Sequence, residues 1–347
     1  MALPSITGYT LGELIELLKP LPAFRARQIF KWISRGARNF DQMTDLSQEL
    51  RKTLSERFLV METYVADTLT DSDGTIKLQI ALQDGTKIEA VVLVDGEGRK
   101  TACISTQVGC PMACAFCKTG SLGFLRNLNA AEIAEQLYHC QAAAGDISNI
   151  VVMGMGEPLL NLINLRTAMN IWSDPAGLGM SRRRITISTS GIVSGIKDLA
   201  DNGPEVRLAV SLTTANEAMR EKLMPVSKTN PLSELKEALR YFQSKHDKRI
   251  TLEAVLLKDV NTKKEDAITL AQFAKGLDVI INLIPWNPVD GMGIDGTDFE
   301  EPTDREIDAM VAELERRGLT VTRRYRKGRG VSGACGQLGS VETFKKE

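Results

Sequence analysis

The segment CISTQVGCPMACAFC, residues 103–117, holds four of the six cysteines of this 347-residue chain. Three of them, Cys110, Cys114 and Cys117, follow a C-x3-C-x2-C spacing, and Cys103 precedes this group. The segment begins in a short strand-like stretch, TACIST, and continues as a loop. Thiols crowded this closely indicate metal or redox chemistry rather than structural disulfides.

Strand-like and helix-like stretches alternate along the chain from this segment onward. The six strand-like stretches are TACIST, NIVVMGM, RITIST, RLAVSLT, RITLEAVLL and DVIINLIPW, and an amphipathic helical stretch follows each of them. Apolar strands alternating with helices predict an α/β domain with a parallel sheet. Six βα units are too few for a closed eightfold barrel, so a partial (βα)6 barrel and a doubly wound sheet both fit the pattern.

Two smaller units are predicted ahead of this domain. Apolar residues spaced three or four apart predict an N-terminal helical unit, and Ser47 is a candidate helix cap. The stretch TIKLQIAL alternates in polarity, and the Asp84–Gly85 turn signal and TKIEAVVLVD complete a predicted β-hairpin. The predicted units are residues 1–60, helical; 61–99, a β-hairpin linker; 100–325, the barrel; and 326–347, a C-terminal tail.

Composition narrows the class of protein. Apolar residues make up 43% and charged residues 25% of the chain, which is the range of ordinary globular proteins. We expect neither a transmembrane helix nor a signal peptide, and therefore a cytoplasmic protein with reduced thiols. A net charge of −1 does not mark a nucleic-acid-binding protein, but basic runs at residues 24–32, 182–184 and 323–329 are candidate RNA contacts.

The cysteine cluster has three chemical interpretations. A structural zinc site takes four protein ligands, whereas the two histidines, His139 and His246, lie in predicted helices far along the chain. A redox pair of Cys114 and Cys117 leaves Cys110 without a role. An iron–sulfur cluster normally takes four thiolates, so three of them leave one iron open for another ligand.

Polar or small residues stand where several of the predicted strands end. They come from GMGEPLLN after the second strand and from the ends of the third, fourth and sixth strands: Gly156 and Glu157, Ser188, Ser211 with Thr213, and Asn287. In parallel βα folds these ends meet on one rim, so the residues together predict a binding pocket. Glu157 is a candidate partner for a ligand ammonium group.

The motif C-x3-C-x2-C with Phe116 before its last cysteine, on the loop after the first strand of a βα repeat, resembles the radical S-adenosylmethionine (SAM) superfamily. The resemblance implies a partial barrel and a [4Fe-4S] cluster on the three clustered cysteines. It implies that SAM binds the open iron and that one electron cleaves it to a 5′-deoxyadenosyl radical. The implied SAM contacts are Gly156, Glu157, Ser188, Ser211, Leu212, Thr213 and Asn287.

The motif ACGQL around Cys335, together with GMGEPLLN, NLIPWNP and the position of Cys103, resembles the RlmN family over essentially the whole chain. That family methylates C2 of an adenine in 23S ribosomal RNA and of an adenine beside the tRNA anticodon. The related Cfr type methylates adenine C8; it usually has alanine in place of Pro158 and lacks IPWNP. A non-catalytic, metal-stapled RNA-binding protein is the alternative from another class. Cys140, in a predicted helix, is expected to be a small buried side chain.

The RlmN resemblance also implies a mechanism that uses two SAM molecules per turnover. Cys335 accepts a methyl group from the first, and a radical from the second activates it for addition to adenine C2. Cys103 then releases the RNA from Cys335, leaving a transient Cys103–Cys335 disulfide. Glu89 is implied as the base for the C2 proton, with Cys103 as its rival. The resemblance further implies that residues 1–60 bind RNA, and a flavodoxin- or ferredoxin-like electron donor and a monomeric enzyme are also expected.

Two positions depart from the family pattern. Thr213 stands where the family usually has histidine, which puts its contact to SAM in doubt. The family commonly has Asp-Ile-x-Ala before ACGQL, whereas this chain has GVSG in that place. The second departure changes how the tail is expected to dock, without removing the Cys335 thiol.

Overall fold

The computed structural model describes residues 3–324 and 327–340. Within them the helices are α1 (Leu11–Leu17), α2 (Ala23–Ser34), α3 (Gln48–Ser55), α4 (Lys118–Ser121), α5 (Ala130–Ala144), α6 (Leu162–Ser173), α7 (Val193–Asn202), α8 (Glu217–Leu223), α9 (Leu232–Lys245), α10 (Lys264–Ala274) and α11 (Asp304–Arg316). In the same residues, no helix is long and apolar enough to cross a membrane.

The strands assigned in the same residues form one large sheet and two small ones. They are β1 (Tyr64–Thr70), β2 (Ile76–Ala81), β3 (Lys87–Val94), β4 (Lys100–Cys103), β5 (Gln107–Gly109), β6 (Phe124–Asn127), β7 (Asn149–Val152), β8 (Ile185–Thr189), β9 (Arg207–Ser211), β10 (Ile250–Leu256), β11 (Val279–Pro285), β12 (Gly293–Ile294), β13 (Thr297–Asp298) and β14 (Thr320–Arg323). The large sheet has the order β1-β2-β3-β4-β7-β8-β9-β10-β11-β14.

The parallel part of this sheet is the partial (βα)6 barrel that the sequence predicts. Strands β4, β7, β8, β9, β10 and β11 pair in parallel with their successors, and helices connect them. A further parallel strand, β14, pairs with β11 and was not predicted. Because all these strands run the same way, their carboxyl ends share one edge, and the polar strand-end residues lie along it.

The predicted hairpin is present, but it belongs to the same sheet rather than to a separate layer. Strands β2 and β3 pair antiparallel, and β3 pairs antiparallel with β4, with Val91 opposite Cys103. Gly85 in the connecting turn has a φ of +80°, a conformation that favours glycine. The unpredicted strand β1 lengthens the extension by pairing with β2. This extension therefore brings β3 next to the first barrel strand.

The N-terminal helices are held to the barrel through one buried carboxylate on α5. Glu135 accepts hydrogen bonds from the hydroxyls of Ser5, Thr7 and Thr63 at 2.5–2.7 Å and from the backbone N–H groups of Glu62 and Thr63. Burial raises the pKa of this carboxyl, and the donors oppose that effect. So many donors on one buried acceptor make this a specific junction between the N-terminal residues and the barrel.

His139 lies one helical turn further along α5 and is held as a neutral ring. The Thr63 hydroxyl donates to Glu135, so it must accept the hydrogen bond from His139 Nε2–H at 2.8 Å. Nδ1 is then the acceptor that faces the Arg38 guanidinium at 3.4 Å. Burial and the Arg38 charge lower the pKa of His139 from 6.5 to about 4.

This neutral histidine predicts a loss of stability in mild acid. Because the folded-state pKa lies below the unfolded value, only the unfolded chain takes up this proton as the pH falls from 6.5 to about 4. We expect this site to reduce the free energy of unfolding by about 3 kcal/mol over that window. Urea titrations at several pH values give the free energy of unfolding as a function of pH. This free energy should fall less steeply with decreasing pH in His139→Gln than in wild type, and His246→Gln serves as the comparison. If the free energy of unfolding depends on pH in the same way in wild type and His139→Gln, the assignment of His139 as a neutral buried ring is wrong.

Candidate active site

A cavity of about 970 Å³, measured with its opening to solvent, lies at the carboxyl edge of the parallel strands. Its lining includes the three clustered cysteines, Gly154, Gly156, Glu157, Ser188, Ser190, Ser211, Glu253, Asn287 and Cys335. The sequence analysis predicted Gly156, Glu157, Ser188, Ser211 and Asn287 from their positions at strand ends, and the four cysteines from their motifs. The fold therefore brings the cluster loop, the strand ends and the tail cysteine to one space.

The cysteine loop is tightly folded over this cavity. The Cys110 N–H donates to the Gly123 carbonyl at 2.8 Å, which joins the two ends of the loop beside the small β5–β6 sheet. A Cβ on Gly120 would lie 3.0 Å from the backbone nitrogen of Cys114, so a larger residue at 120 would push the loop apart. Ala115 N–H reaches the Leu223 carbonyl at 2.9 Å and ties the loop to α8.

Burial raises the pKa of all three clustered thiols, that of Cys110 to about 12 and that of Cys114 well above its usual value. Metal ions bind thiolates, so cluster binding here must displace protons. Within the described residues, no three His, Cys, Asp or Glu side chains are grouped to hold a single metal ion. A [4Fe-4S] cluster does not require such convergence, because each thiolate binds a different iron. The donor chemistry and the adjoining cavity fit a cluster with one open iron.

Two glycines in GMGEPLLN let the backbone closely approach the segment that follows β4. A Cβ on Gly154 would lie 2.6 Å from Ser105 Oγ, and one on Gly156 would lie 2.6 Å from Gln107 Cβ. Gly156 also has a φ of +105°, which L side chains rarely adopt. Larger residues at 154 and 156 would therefore push this segment away from residues 104–107 and disturb the wall of the cavity.

The predicted SAM contacts divide into two groups. Gly156, Glu157, Ser188, Ser211 and Asn287 line the cavity. Leu212 and Thr213 are buried but are not among its lining residues. Thr213 has a φ of +61°, and its backbone N–H donates to the Glu253 carbonyl at 3.0 Å. Its hydroxyl is buried with no hydrogen-bond partner in the structure.

The Glu157 carboxylate is turned toward the loop after β8. It accepts hydrogen bonds from Leu159 N–H at 3.0 Å, from Ser190 N–H at 2.7 Å and from the Ser190 hydroxyl at 2.8 Å. Burial raises the pKa of this carboxyl, and these donors oppose the shift. Glu157 thus fixes two strand-end loops relative to each other, and its predicted contact with an ammonium group stays a prediction.

Asn287 joins the cavity to the tail. Its side-chain N–H donates to the Cys335 carbonyl at 3.1 Å. Its Oδ1 atom is buried and has no hydrogen-bond partner in the structure. A buried amide oxygen without a donor is unfavourable, so a donor group of a bound ligand would stabilise it. This orphan acceptor fits a polar cofactor such as SAM.

Cys335 lies between the main cavity and a second pocket that contains Cys103. The second pocket has a volume of about 570 Å³, shares Met153, Asn287 and Cys335 among its lining residues with the main cavity, and is also lined by Arg324. Cys335 is exposed to these spaces, yet the protein around its sulfur disfavours the thiolate and raises its pKa to about 12. Burial raises the pKa of Cys103 to about 11. The Arg324 charge opposes both shifts.

The predicted Cys103–Cys335 disulfide is absent from the structure. All six cysteines are free thiols, and Cys140 is fully buried in α5, as expected. A disulfide that forms only during turnover has no part in holding the fold, so the tail must be held by other contacts.

Glu89 is buried rather than exposed, and it lies behind the tail instead of in either pocket's lining. Its Oε1 pairs with Lys77 Nζ at 3.2 Å, and its Oε2 accepts a hydrogen bond from Gly339 N–H at 2.7 Å. Both oxygens therefore have partners while the tail is docked.

Sequence reasoning missed two buried charged residues at the site. Glu253, in the middle of β10, lines the main cavity, accepts a hydrogen bond from Ser188 Oγ at 3.1 Å and lies 3.7 Å from Arg324. Arg220 on α8 is fully buried and donates to the Ser190 carbonyl at 2.7 Å and to the Leu212 carbonyl at 3.1 Å. Burial lowers the pKa of Arg220 to about 10, so it stays charged at neutral pH. A charged residue inside an apolar strand was the available signal for Glu253.

The three basic runs lie in different settings. Arg27 and Lys31 are exposed on α2, and residues 182–184 form an exposed turn. Residues of the third run contact other parts of the protein. Arg323 pairs with Asp304 and Asp308, and Arg324 lines the second pocket. Residues 325–326 of this run lie outside the described residues.

Comparisons with known proteins agree with this geometry. A family model described as the Radical SAM superfamily matches residues 104–271, and one described as the ribosomal RNA large subunit methyltransferase N-terminal domain matches residues 8–60. A probable dual-specificity RNA methyltransferase RlmN of Treponema denticola is 54% identical over 92% of this chain and 90% of its own length. A protein of that name in Thermus thermophilus is 42% identical over 95% of this chain and 94% of its own length.

A solved structure supports the same relationship. The crystal structure of a radical SAM methyltransferase from Sphaerobacter thermophilus superposes with a TM-score of 0.91 at 37% identity, covering 96% of this chain and 99% of that one. Together with the relatives' identities over nearly the full length, this likeness extends beyond the cluster motif to the N-terminal helices and the tail. The chain belongs to the RlmN family of radical SAM RNA methyltransferases.

Proposed function

We propose that this enzyme methylates C2 of an adenine in 23S rRNA and in tRNA, and that the methyl group travels on Cys335. The observation that carries the proposal is the position of Cys335. It lines the cavity that holds the cluster cysteines and Glu157, and it also lines the pocket that holds Cys103. A group carried on this sulfur is accessible from both sides.

The chemistry of the target atom supports a carrier cysteine. Adenine C2 is an electron-poor aromatic carbon without a lone pair, so it cannot attack a methyl group directly. When bound, the cluster supplies the electron that cleaves SAM, and two SAM molecules supply the methyl group and the radical that activates it. We assign the cluster to Cys110, Cys114 and Cys117, and the SAM contacts to the strand-end residues that line the cavity.

Cys335 carries the methyl group and then the RNA, and Cys103 releases the product. The Cys335 sulfur loses its proton, accepts the methyl carbon and later carries the RNA through an S–C bond. The adduct gives up the C2 proton to a base and one electron, which the oxidised cluster would take back, and the aromatic ring is restored. Cys103 then loses its proton and attacks the Cys335 sulfur, the S–C bond breaks, and the released carbon takes up a proton to become the methyl group. The two sulfurs remain as a disulfide that a cellular reductant must reopen.

We assign the C2 proton to Glu89, the carboxylate behind the Cys335 loop. In the docked arrangement Glu89 contacts Lys77 and Gly339 N–H and lines neither pocket, so the contact with Gly339 must open before Glu89 can reach the C2 proton. Burial raises the pKa of the rival base, Cys103, to about 11, which makes its thiolate form less available as a base.

RNA binding follows from the position of the target atom. A base within folded RNA must leave its stack to reach a thiol inside a pocket. We propose that residues 1–60 contact the RNA, with exposed Arg27 and Lys31 of α2 contributing to phosphate contacts. Residues 61–99, 100–325 and 326–347 would serve as β extension, catalytic barrel and methyl-carrying tail. We further propose a monomeric cytoplasmic enzyme that takes electrons from a flavodoxin- or ferredoxin-like donor.

Analysis of modified nucleosides tests this function. Anaerobically reconstituted enzyme, SAM and a chemical reductant should convert adenosine in unmodified 23S rRNA and tRNA to 2-methyladenosine. Nuclease mapping would then locate the modified position. Formation of 8-methyladenosine would replace the C2 assignment with the Cfr-type activity. A protein that binds zinc, stays colourless and does not cleave SAM would contradict the whole proposal.

A further inference from the structure

The tail segment that carries Cys335 packs over one face of the hairpin formed by β2 and β3. The sequence pattern predicted this face to be the polar, outward one, because Lys77 and Gln79 alternate with apolar residues. Lys77 is instead only 9% exposed and Glu89 only 5% exposed, so the tail covers both charges. A buried ion pair on a face of this kind calls for a functional explanation, because burying two charges costs solvation energy.

The ion pair contacts the tail on both sides of Cys335. Lys77 Nζ lies 3.5 Å from the carbonyl oxygen of Ser332, which precedes the cysteine. Glu89 Oε2 accepts from the N–H of Gly339, which follows it, at 2.7 Å. The two charges bind each other at 3.2 Å. The loop between Ser332 and Gly339 is therefore closed at its base by one pair of opposite charges.

We propose that Lys77 is a positioning residue that, through Glu89, latches the loop carrying Cys335 between the cluster cavity and the Cys103 pocket. The latch opens when Gly339 N–H leaves Glu89, and the same step frees a carboxylate oxygen. Release of the Gly339 end of the loop and availability of Glu89 are thereby linked, while hydrogen bonds from Lys118 N–H and the Thr119 hydroxyl to the carbonyls of Gly336 and Leu338 hold the rest of the loop. The effect on catalysis rests on the proposed function of Cys335, whereas the docking of the loop does not.

The latch is tested first without any turnover. Lys77→Met keeps most of the length of the side chain but leaves the buried Glu89 carboxylate without its countercharge, so opening of the loop to water becomes more favourable. We expect hydrogen exchange in peptides covering residues 332–340 to accelerate, and tryptic cleavage after Lys327 or Arg329 to become about tenfold faster. Lys77→Arg retains the charge and should restore most of the protection.

Matched controls separate a local latch from general destabilisation. Arg99→Met removes an exposed ion pair from the turn between β3 and β4, and its tail should exchange like that of wild type. Exchange in α7 should be unchanged in Lys77→Met. If Lys77→Met also loosens α7, Glu89→Gln provides a near-isosteric alternative that should free the tail alone. Two results would overturn the latch. One is tail exchange at the wild-type rate in Lys77→Met or Glu89→Gln, and the other is tail exchange in Lys77→Arg as fast as in Lys77→Met.

A second readout connects the latch to the reaction. In reconstituted Lys77→Met, mass spectrometry should show a several-fold lower fraction of methylated Cys335, while formation of 5′-deoxyadenosine from SAM continues and becomes uncoupled from RNA. Lys77→Arg should recover the methylated fraction. Methylation of Cys335 in Lys77→Met at the wild-type level would contradict the positioning role. A wild-type enzyme that never methylates Cys335 would instead contradict the proposed function, and the exchange experiment would still decide whether the latch exists.

Discussion

Cys103→Ala should accumulate as a protein covalently joined to its RNA substrate. Cys103 and Cys335 line the second pocket together, whereas the three cluster cysteines line only the main cavity, so we assign Cys103 to attack on the Cys335 sulfur rather than to the cluster. Without this thiol the S–C bond to the RNA persists, so turnover should stop after about one equivalent and fall at least about 10⁴-fold in the steady state. Denaturing gels and mass spectrometry of nuclease-treated protein would detect the adduct.

Cys140→Ala is the matched control for this experiment. Cys140 is also a buried thiol, but it lies on α5 and lines neither pocket. It should turn over normally and leave no adduct. Normal turnover of Cys103→Ala, or its failure to assemble the iron–sulfur cluster, would contradict the role of Cys103 in releasing the RNA from Cys335.

Cys335→Ala should lose RNA methylation at least about 10⁴-fold, because no other thiol is accessible from both pockets among the described residues. Its cluster should assemble as in wild type, since Cys110, Cys114 and Cys117 remain. SAM should still be cleaved slowly to 5′-deoxyadenosine without a methyl acceptor. Electron paramagnetic resonance and chromatography of SAM products would follow these two properties separately.

Cys335→Ser provides a stricter version of the same test. A serine hydroxyl retains the size and most contacts of the side chain, but it is a far weaker nucleophile toward a methyl group than a thiolate. Retained RNA methylation in either variant would mean that the methyl group reaches adenine by a route that does not involve Cys335. Loss of the cluster spectrum would indicate that residue 335 supports the metal site instead.

The local parts of the site could be predicted from the sequence because their spacing is itself the signal. The three cluster cysteines fall on one short loop, and the strand-end residues follow from the rhythm of strands and helices. Ser47 was predicted as a cap for the same reason, and its hydroxyl accepts from Leu50 N–H at 3.3 Å. The (βα)6 count was also correct, whereas the short strand β14 gave too weak a pattern.

The long-range parts of the site could not be derived from local patterns. A polar face on β2 predicts exposure, but the tail covers Lys77 and Glu89 in the folded chain. The proximity of Cys335 to the cavity was inferred only from the family resemblance. Arg220 lies on a short helix among charged neighbours that predict a surface, and the strand-end loops that bury it are distant in sequence. Burial of such residues depends on the tertiary fold, which residue spacing does not encode.

The most direct test of a methyl group carried on Cys335 is a single reaction with SAM whose methyl group carries three deuterium atoms. The S-methyl group should lose one of its three deuterium atoms to the radical and gain one hydrogen from solvent on release. The 2-methyladenosine product should then carry two deuterium atoms and one solvent-derived hydrogen. Enzyme first loaded with an unlabelled methyl group on Cys335 should give an unlabelled first product. A product that retains all three deuterium atoms would show direct transfer from SAM and contradict the account.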